Sequence, residues 1–218
     1  ALVRWQNDKE MIYPDQFIPV LEKNGYVIDV DNFIWNKVCA CIKMMEDKGI
    51  EPVPISVNVS RMHVYQEKFT ENLKNMAGEY GIDPKYIPLE ITESAFTKEE
   101  GSLFKKVQSL QGYGFKFSMD DFGSGYSSLG MLKSERVDEV KIDKTFVDDI
   151  ATDKGKVLLG NVIRMINELG IDMIAEGVET KEQADFLKEN GCMYAQGYYY
   201  YKPMPIEEFA KLLENSAR

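Results

Sequence analysis

Phe115-Lys116-Phe117-Ser118-Met119-Asp120-Asp121 is a short apolar run that closes on two acids, and its plan recurs along the chain. Asn58 closes Ile55-Ser56-Val57, and Glu90 sits in Ile87-Pro88-Leu89-Glu90-Ile91-Thr92-Glu93. Lys141 ends Val137-Asp138-Glu139-Val140, Glu176 ends Ile171-Asp172-Met173-Ile174-Ala175, and Gln196 follows Cys192-Met193-Tyr194-Ala195. Strand-like runs alternating with helix-like segments imply a mostly parallel sheet. A parallel barrel gathers the C-terminal ends of its strands on one face. Six scattered polar positions then form one oxygen-rich pocket, the shape of a divalent-metal hydrolase site. The expected fold is α/β, a TIM-like (β/α)8 barrel. About six strand-like runs follow residue 50, and a complete barrel has eight. The expectation is therefore one barrel domain over residues 1–218, N-terminally truncated and lacking its first strand.

The segments between these runs carry helix signals. A long helix is expected from Asp31, as N-cap, to about Asp47, with Gly49 as its stop and Phe33, Ile34, Val38, Ile42 and Met45 on one stripe. A strand is expected over 53–59, a helix over about 66–80, ending at Gly81, and a short strand over 139–142. The run Thr97-Lys98-Glu99-Glu100 is a capping box opening a helix to about Gly112. Further helices are expected over about 154–169 and after Thr180, with Gln183 completing its box, and from Pro205. No linker, low-complexity tract or repeat interrupts the pattern.

Composition narrows the chemistry. The hydrophobic fraction of 44% supports a real core, and the net charge of −10 argues against general affinity for DNA or other nucleic acid. Cys39, Cys41 and Cys192 form no Cys-x-x-Cys pair, and His63 is the single histidine, so zinc is not expected. The cysteines read as small apolar fillers, and His63 as a solvent-exposed residue in a loop or helix start. No apolar run approaches the ~20 residues of a membrane span, and no signal peptide opens the chain. A cytoplasmic domain is expected, or the cytoplasmic part of a larger membrane-bound protein.

Asn58, Glu90, Asp120 and Asp121 supply hard oxygen ligands, which select Mg²⁺ or Mn²⁺. Two ions about 4 Å apart would share a carboxylate and clamp a phosphodiester for in-line attack. Side chains alternate along a regular strand, so adjacent acids reach the same ions only where the chain turns. One such acid alone reads as a surface carboxylate; acids at successive strand ends do not. Lys141 is open to several readings: a surface lysine, a Schiff-base nucleophile, a phosphate clamp or a water-orienting cation. Carboxylate neighbours keep it protonated and favour the last over an imine. Glu176 is a candidate general base, and Glu179 a helix-start or loop-support residue. The stretch from Asp121 to Ser128 is a Gly/Ser loop, read either as a lid or as a plain loop. In the run Tyr198–Tyr201 alternate rings are expected to face opposite sides, with packing favoured over base stacking.

Taken together, these motifs resemble the EAL phosphodiesterase family, which hydrolyses the bacterial messenger cyclic di-GMP. The likeness spans essentially the whole chain. It runs through Ala1-Leu2-Val3-Arg4-Trp5, Pro14-Asp15-Gln16-Phe17-Ile18-Pro19, Ser56-Val57-Asn58-Val59-Ser60 and Leu89-Glu90-Ile91-Thr92-Glu93-Ser94. It continues through Asp120-Asp121-Phe122-Gly123-Ser124-Gly125-Tyr126-Ser127-Ser128-Leu129, Lys141-Ile142-Asp143, Ala175-Glu176-Gly177-Val178-Glu179-Thr180 and Gln196-Gly197-Tyr198. The resemblance implies metal ligands at Asn58, Glu90, Asp120, Asp121 and Glu176, with two Mg²⁺ or Mn²⁺ ions. It implies that Lys141 holds the hydrolytic water and that Glu176 is metal-linked or a general base. Glu93 would steady the loop after Asp121, with Glu179 in a similar supporting place. Leu2 and Arg4 match guanine- and phosphate-contacting positions, and Gln196 a residue of the same site. The signature glutamate would immediately precede Ala1. Ser124 stands in place of the commoner threonine.

A homodimer through the loop and helix after Asp121 is implied as well, and an upstream sensor or diguanylate cyclase domain is an expectation. Three functional readings follow: a cyclic di-GMP phosphodiesterase, a non-catalytic cyclic di-GMP receptor or scaffold on the same barrel, and a lysine-dependent aldolase on Lys141. The carboxylates around Lys141 oppose the third.

Overall fold

The computed structural model describes residues 1–7, 10–92, 100–123, 132 and 137–216. The strands among them are β1 (Trp5–Gln6), β2 (Met11–Ile12), β3 (Val57–Asn58), β4 (Leu89–Thr92), β5 (Phe117–Phe122), β6 (Glu139–Ile142), β7 (Asp172–Ala175) and β8 (Tyr194–Ala195). The helices are α1 (Pro14–Asn24), α2 (Val27–Asp47), α3 (Arg61–Tyr65), α4 (Phe69–Tyr80), α5 (Glu100–Gln111), α6 (Lys144–Asp148), α7 (Asp153–Glu168), α8 (Lys181–Glu189) and α9 (Ile206–Ser216). From β3 to β8 the parallel strands follow one another in sequence order, the order of a β/α barrel. The chain divides into two compact units, one of residues 1–90, 105–115 and 204–218, the other of residues 91–104 and 116–203.

In the first unit β1 and β2 pair antiparallel, with Trp5 opposite Ile12. Pro14 opens α1, where its missing N–H would have no partner anyway. Helix α2 begins four residues before the expected Asp31 and ends before Gly49, which takes the left-handed φ of 70°. Asp31 is thus an interior, buried residue and not the N-cap. The buried stripe runs Val27, Asp31, Trp35, Val38, Ile42, Met45, at steps of three and four. Phe33 was expected on that stripe but is exposed. It lies two residues from both Asp31 and Trp35, about 200° around the helix. Strands β3 and β4 are parallel, with Val57 registered on Leu89 and Asn58 on Glu90. β3 is shorter than the expected 53–59, although bonds continue on either side of it, from the Ile55 N–H to the Tyr86 carbonyl and from the Val59 N–H to the Glu90 carbonyl, both at 2.9 Å. Trp35, Ile42, Met45, Phe69, Leu73, Ile87 and Leu89 are fully buried here.

In the second unit β5, β6, β7 and β8 pair in parallel, each with the next. β6 occupies the expected residues. Thr180 caps α8 and Gln183 returns the bond, the capping box expected there. The box at Thr97 lies outside the described residues. Helix α6 was not expected; Asp143 caps it, accepting from the Thr145 N–H at 2.9 Å. Tyr198–Tyr201 does not form a strand. The run turns back, with the Tyr200 and Tyr201 N–H groups both donating to the Gly197 carbonyl, and all four rings are exposed rather than packed.

Candidate active site

The site residues of the first unit are held through their backbone. Asn58 and Glu90 are registered partners on parallel strands, so their side chains share a face. Asn58 is exposed and Glu90 buried, and the Ser56 hydroxyl donates a short hydrogen bond to Glu90 Oε1. Behind them Trp35 Nε1 donates to the Asn58 carbonyl at 3.0 Å. Asp31 Oδ2 accepts from the Ser60 N–H at 3.1 Å and lies 3.5 Å from His63 Nε2. His63 is 2% exposed, which overturns the solvent-exposed reading. Its ring lies 4.3 Å from Trp35 and 5.9 Å from Phe69, centre to centre. A histidine flanked by Met62 and Val64 at a helix start carries no burial signal of its own; its aromatic cover comes from α2 and α4. Burial disfavours the charged form of both members of the pair. It lowers His63 from 6.5 to about 4 and raises Asp31 from 3.8 to about 6, against the Ser60 hydrogen bond that pulls Asp31 down.

Leu2 is exposed, and Arg4 makes local contacts, donating to the Val3 carbonyl at 2.8 Å with its guanidinium 5.7 Å from the Tyr13 ring centre.

In the second unit the site is held through side chains. Lys141 is 5% exposed, lies 3.3 Å from Asp120 Oδ1 and forms a close ion pair with Glu176 Oε1. Gln196 Nε2 donates to the same Glu176 oxygen at 2.5 Å. Asp120 Oδ1 is buried and accepts no hydrogen bond. Glu176 follows the last residue of β7, and its N–H donates to the Ile142 carbonyl at 3.0 Å.

The adjacent acids resolve their alternation problem by a bulge. Met119 is registered on Val140 and Phe122 on Ile142, so Asp120 and Asp121 together face the single residue Lys141. Among the described residues Asp121 is the one non-glycine with positive φ, at 57°. An extra residue in αL breaks the strict up-and-down alternation and re-aims the side chains. Nothing in the sequence marks this bulge beyond the two acids themselves. Glu179 turns its carboxylate to Lys144 Nζ at 2.8 Å, while its N–H donates to Gln183 Oε1 at 2.7 Å. Glu93 and the loop from Ser124 to Leu129 lie outside the described residues.

The donors suit a hard divalent cation. They are carboxylate and amide oxygens, and Asp120 Oδ1 is a buried acceptor with a free lone pair. Among the described residues no three His, Cys, Asp or Glu side chains converge as a metal cage. The three cysteines are buried fillers as expected, with burial pushing the Cys39 thiol up to about 12.

The EAL domain family matches residues 1–203. The oxygen sensor protein DosP of Escherichia coli is 35% identical over 95% of this chain and 26% of its own length. The cyclic di-GMP phosphodiesterase NbdA of Pseudomonas aeruginosa is 31% identical over 97% of this chain and 28% of its own. The solved structure of the PaMucR phosphodiesterase in complex with c-di-GMP superposes with a TM-score of 0.90 at 31% identity, covering 96% of this chain and 85% of that one. The chain thus spans about a quarter of the length of these curated relatives.

Proposed function

The chain belongs to the EAL domain family, and from that premise we propose that it hydrolyses cyclic di-GMP to the linear dinucleotide with Mg²⁺ or Mn²⁺. The observation that carries the reading is a buried Lys141 held between Asp120 and Glu176. A relative named as a cyclic di-GMP phosphodiesterase and a solved phosphodiesterase bound to that nucleotide support it.

In this reading Asn58, Glu90, Asp120, Asp121 and Glu176 are the oxygen ligands, the set that the family resemblance implies. The metal would supply Lewis-acid activation of water and phosphoryl oxygens. Lys141 orients the attacking water with its ammonium protons. Glu176 takes the proton that the water gives up, and Gln196 fixes the carboxylate that receives it. The water oxygen bonds to phosphorus as one ester P–O bond breaks, and the departing oxygen takes a proton from solvent water, to which Glu176 returns its own. Leu2 and Arg4 contact the substrate, while Glu93 and Glu179 support the loops. Self-association through the segment after Asp121 and an upstream sensor or cyclase module belong to the same reading. With a net charge of −10 the chain repels an anionic dinucleotide at long range, so binding depends on the cation and weakens in chelator.

A second reading is a non-catalytic receptor for the same nucleotide on the same barrel. Incubation with cyclic di-GMP and Mn²⁺, followed by chromatography, separates the two. Appearance of the linear dinucleotide, lost in chelator, supports the phosphodiesterase. Tight binding with no product supports the receptor and rejects hydrolysis.

A further inference from the structure

Helix α6 starts two residues after β6 ends, and β6 carries Lys141. Asp143 caps its first turn and Val147 is fully buried, so the helix is fixed to the strand. Its two other inward residues meet two loops. Phe146 lies against Gly123, where a methyl group would come within 2.0 Å of Cε2 of the ring. Lys144 lies against Gly177, where a methyl group would come within 2.4 Å of Cγ of the lysine stem. Both glycines have positive φ, 96° and 68°. Gly123 directly follows the Asp120–Asp121–Phe122 bulge, and Gly177 directly follows Glu176. A close approach of this kind needs glycine on the loop side.

We propose that α6 is a two-sided wedge that sets the spacing of Asp120 and Glu176 about Lys141, with Phe146 and Lys144 as positioning residues. Its effect on turnover rests on the phosphodiesterase reading; its effect on the loops does not. One short helix indexes both acid-bearing loops to the strand that carries the lysine between them. Lys144 Nζ adds ion pairs to Glu179 at 2.8 Å and Asp148 at 3.1 Å. These are half exposed and contribute little, so the packed stem rather than the charge is the main contact. Gln183 ties the second loop further, accepting from the N–H groups of Glu179 and Thr180 at 2.7 and 3.0 Å.

Amide hydrogen exchange on Phe146→Ala and Lys144→Ala tests the wedge without reference to activity. Phe146→Ala is expected to speed exchange at residues 121–123 and leave 176–178 as they were. Lys144→Ala is expected to do the reverse. Each variant should lower kcat by about tenfold to a hundredfold, with KM within about twofold, as a misplaced catalytic group does. Gly177→Ala should lose turnover, and pairing it with Lys144→Ala should recover part of the loss, because the stem that the new methyl meets is gone. If Phe146→Ala does not fold, Phe146→Leu replaces it. Exchange that stays unchanged, or that rises equally in both loops and in β6, would overturn the wedge. Variants that show the loop-specific pattern, together with a wild-type chain that cleaves no cyclic di-GMP, would keep the wedge and reject the phosphodiesterase.

Discussion

The two units fix their candidate site residues by opposite means. In the first, Asn58 is pinned from behind: Trp35 holds its carbonyl, Asp31 holds the Ser60 N–H, and both anchors sit in an aromatic core with His63. In the second, the strand backbone gives way, with Asp121 in αL, and the side chains of Lys141, Asp120, Glu176 and Gln196 hold one another. A frame made of core residues couples site geometry to stability. A frame made of charges lets chemistry be changed while the fold stays.

The sharpest break in that comparison is Lys141→Met. It leaves Asp120 and Glu176 without their shared cation and, in the proposed mechanism, removes the group that orients water, so kcat should fall by about a thousandfold with the nucleotide still bound. Steady-state kinetics beside a binding titration reads both.

Next in size is a pH effect confined to the first unit. Asp31 has a raised folded-state pKa, so the folded chain holds the extra proton between pH 3.8 and about 6 and loses stability as pH rises through that window. His63 has a depressed one, so the unfolded chain holds the extra proton between about 4 and 6.5 and stability rises with pH. The two slopes oppose each other in the wild type. Asp31→Asn removes the first and keeps an acceptor for Ser60. Its stability should then climb by roughly 3 kcal/mol between pH 4 and 6.5, in chemical denaturation at a series of pH values. A flat profile in that variant would remove His63 as a titrating group.

Trp35→Phe is smaller. It keeps most of the core volume but strips the donor from the Asn58 carbonyl, costing about 1–2 kcal/mol. Unlike Lys141→Met it should lower the denaturation midpoint and weaken Mn²⁺ affinity together, since the strand carrying Asn58 loosens. Lys48→Ala closes the series. The Lys48–Glu214 pair is 2.8 Å long but 51% and 43% exposed, and its loss should change stability by less than about 0.5 kcal/mol.

The fold is legible in the sequence where local chemistry and tertiary role agree. β6 stands at the expected residues with three of its four side chains buried, and the Thr180–Gln183 box is local by nature. The parallel strand order followed from the alternation of runs, and Asn58, Glu176 and Gln196 do stand at or just beyond strand ends, with Lys141 one residue short of the end of β6. Glu90 and Asp120 are the exceptions, Glu90 one residue into β4 and Asp120 two residues before the end of β5, where the bulge carries the strand on to Phe122. Where tertiary contacts decide, the same reading failed. Asp31 looked like an N-cap because it precedes an apolar stripe, yet it is part of that stripe and serves Ser60 from inside the helix. His63 looked like a loop residue because its cover comes from other helices, Trp35 on the distant α2 and Phe69 at the start of α4. Helix α6, at five residues, is too short to show a period, and the bulge at Asp120–Asp121 has no sequence mark.

The central claim is that Lys141, between Asp120 and Glu176, serves hydrolysis of a cyclic dinucleotide. Its most direct test is single-turnover cleavage of cyclic di-GMP in Mn²⁺ by the wild-type chain and by Glu176→Gln, which keeps the shape of the carboxylate but cannot take a proton. The account predicts linear dinucleotide from the wild type and a rate lower by at least about a hundredfold from the variant. Equal rates from the two, or no product from the wild type under conditions where it binds the nucleotide, would contradict it.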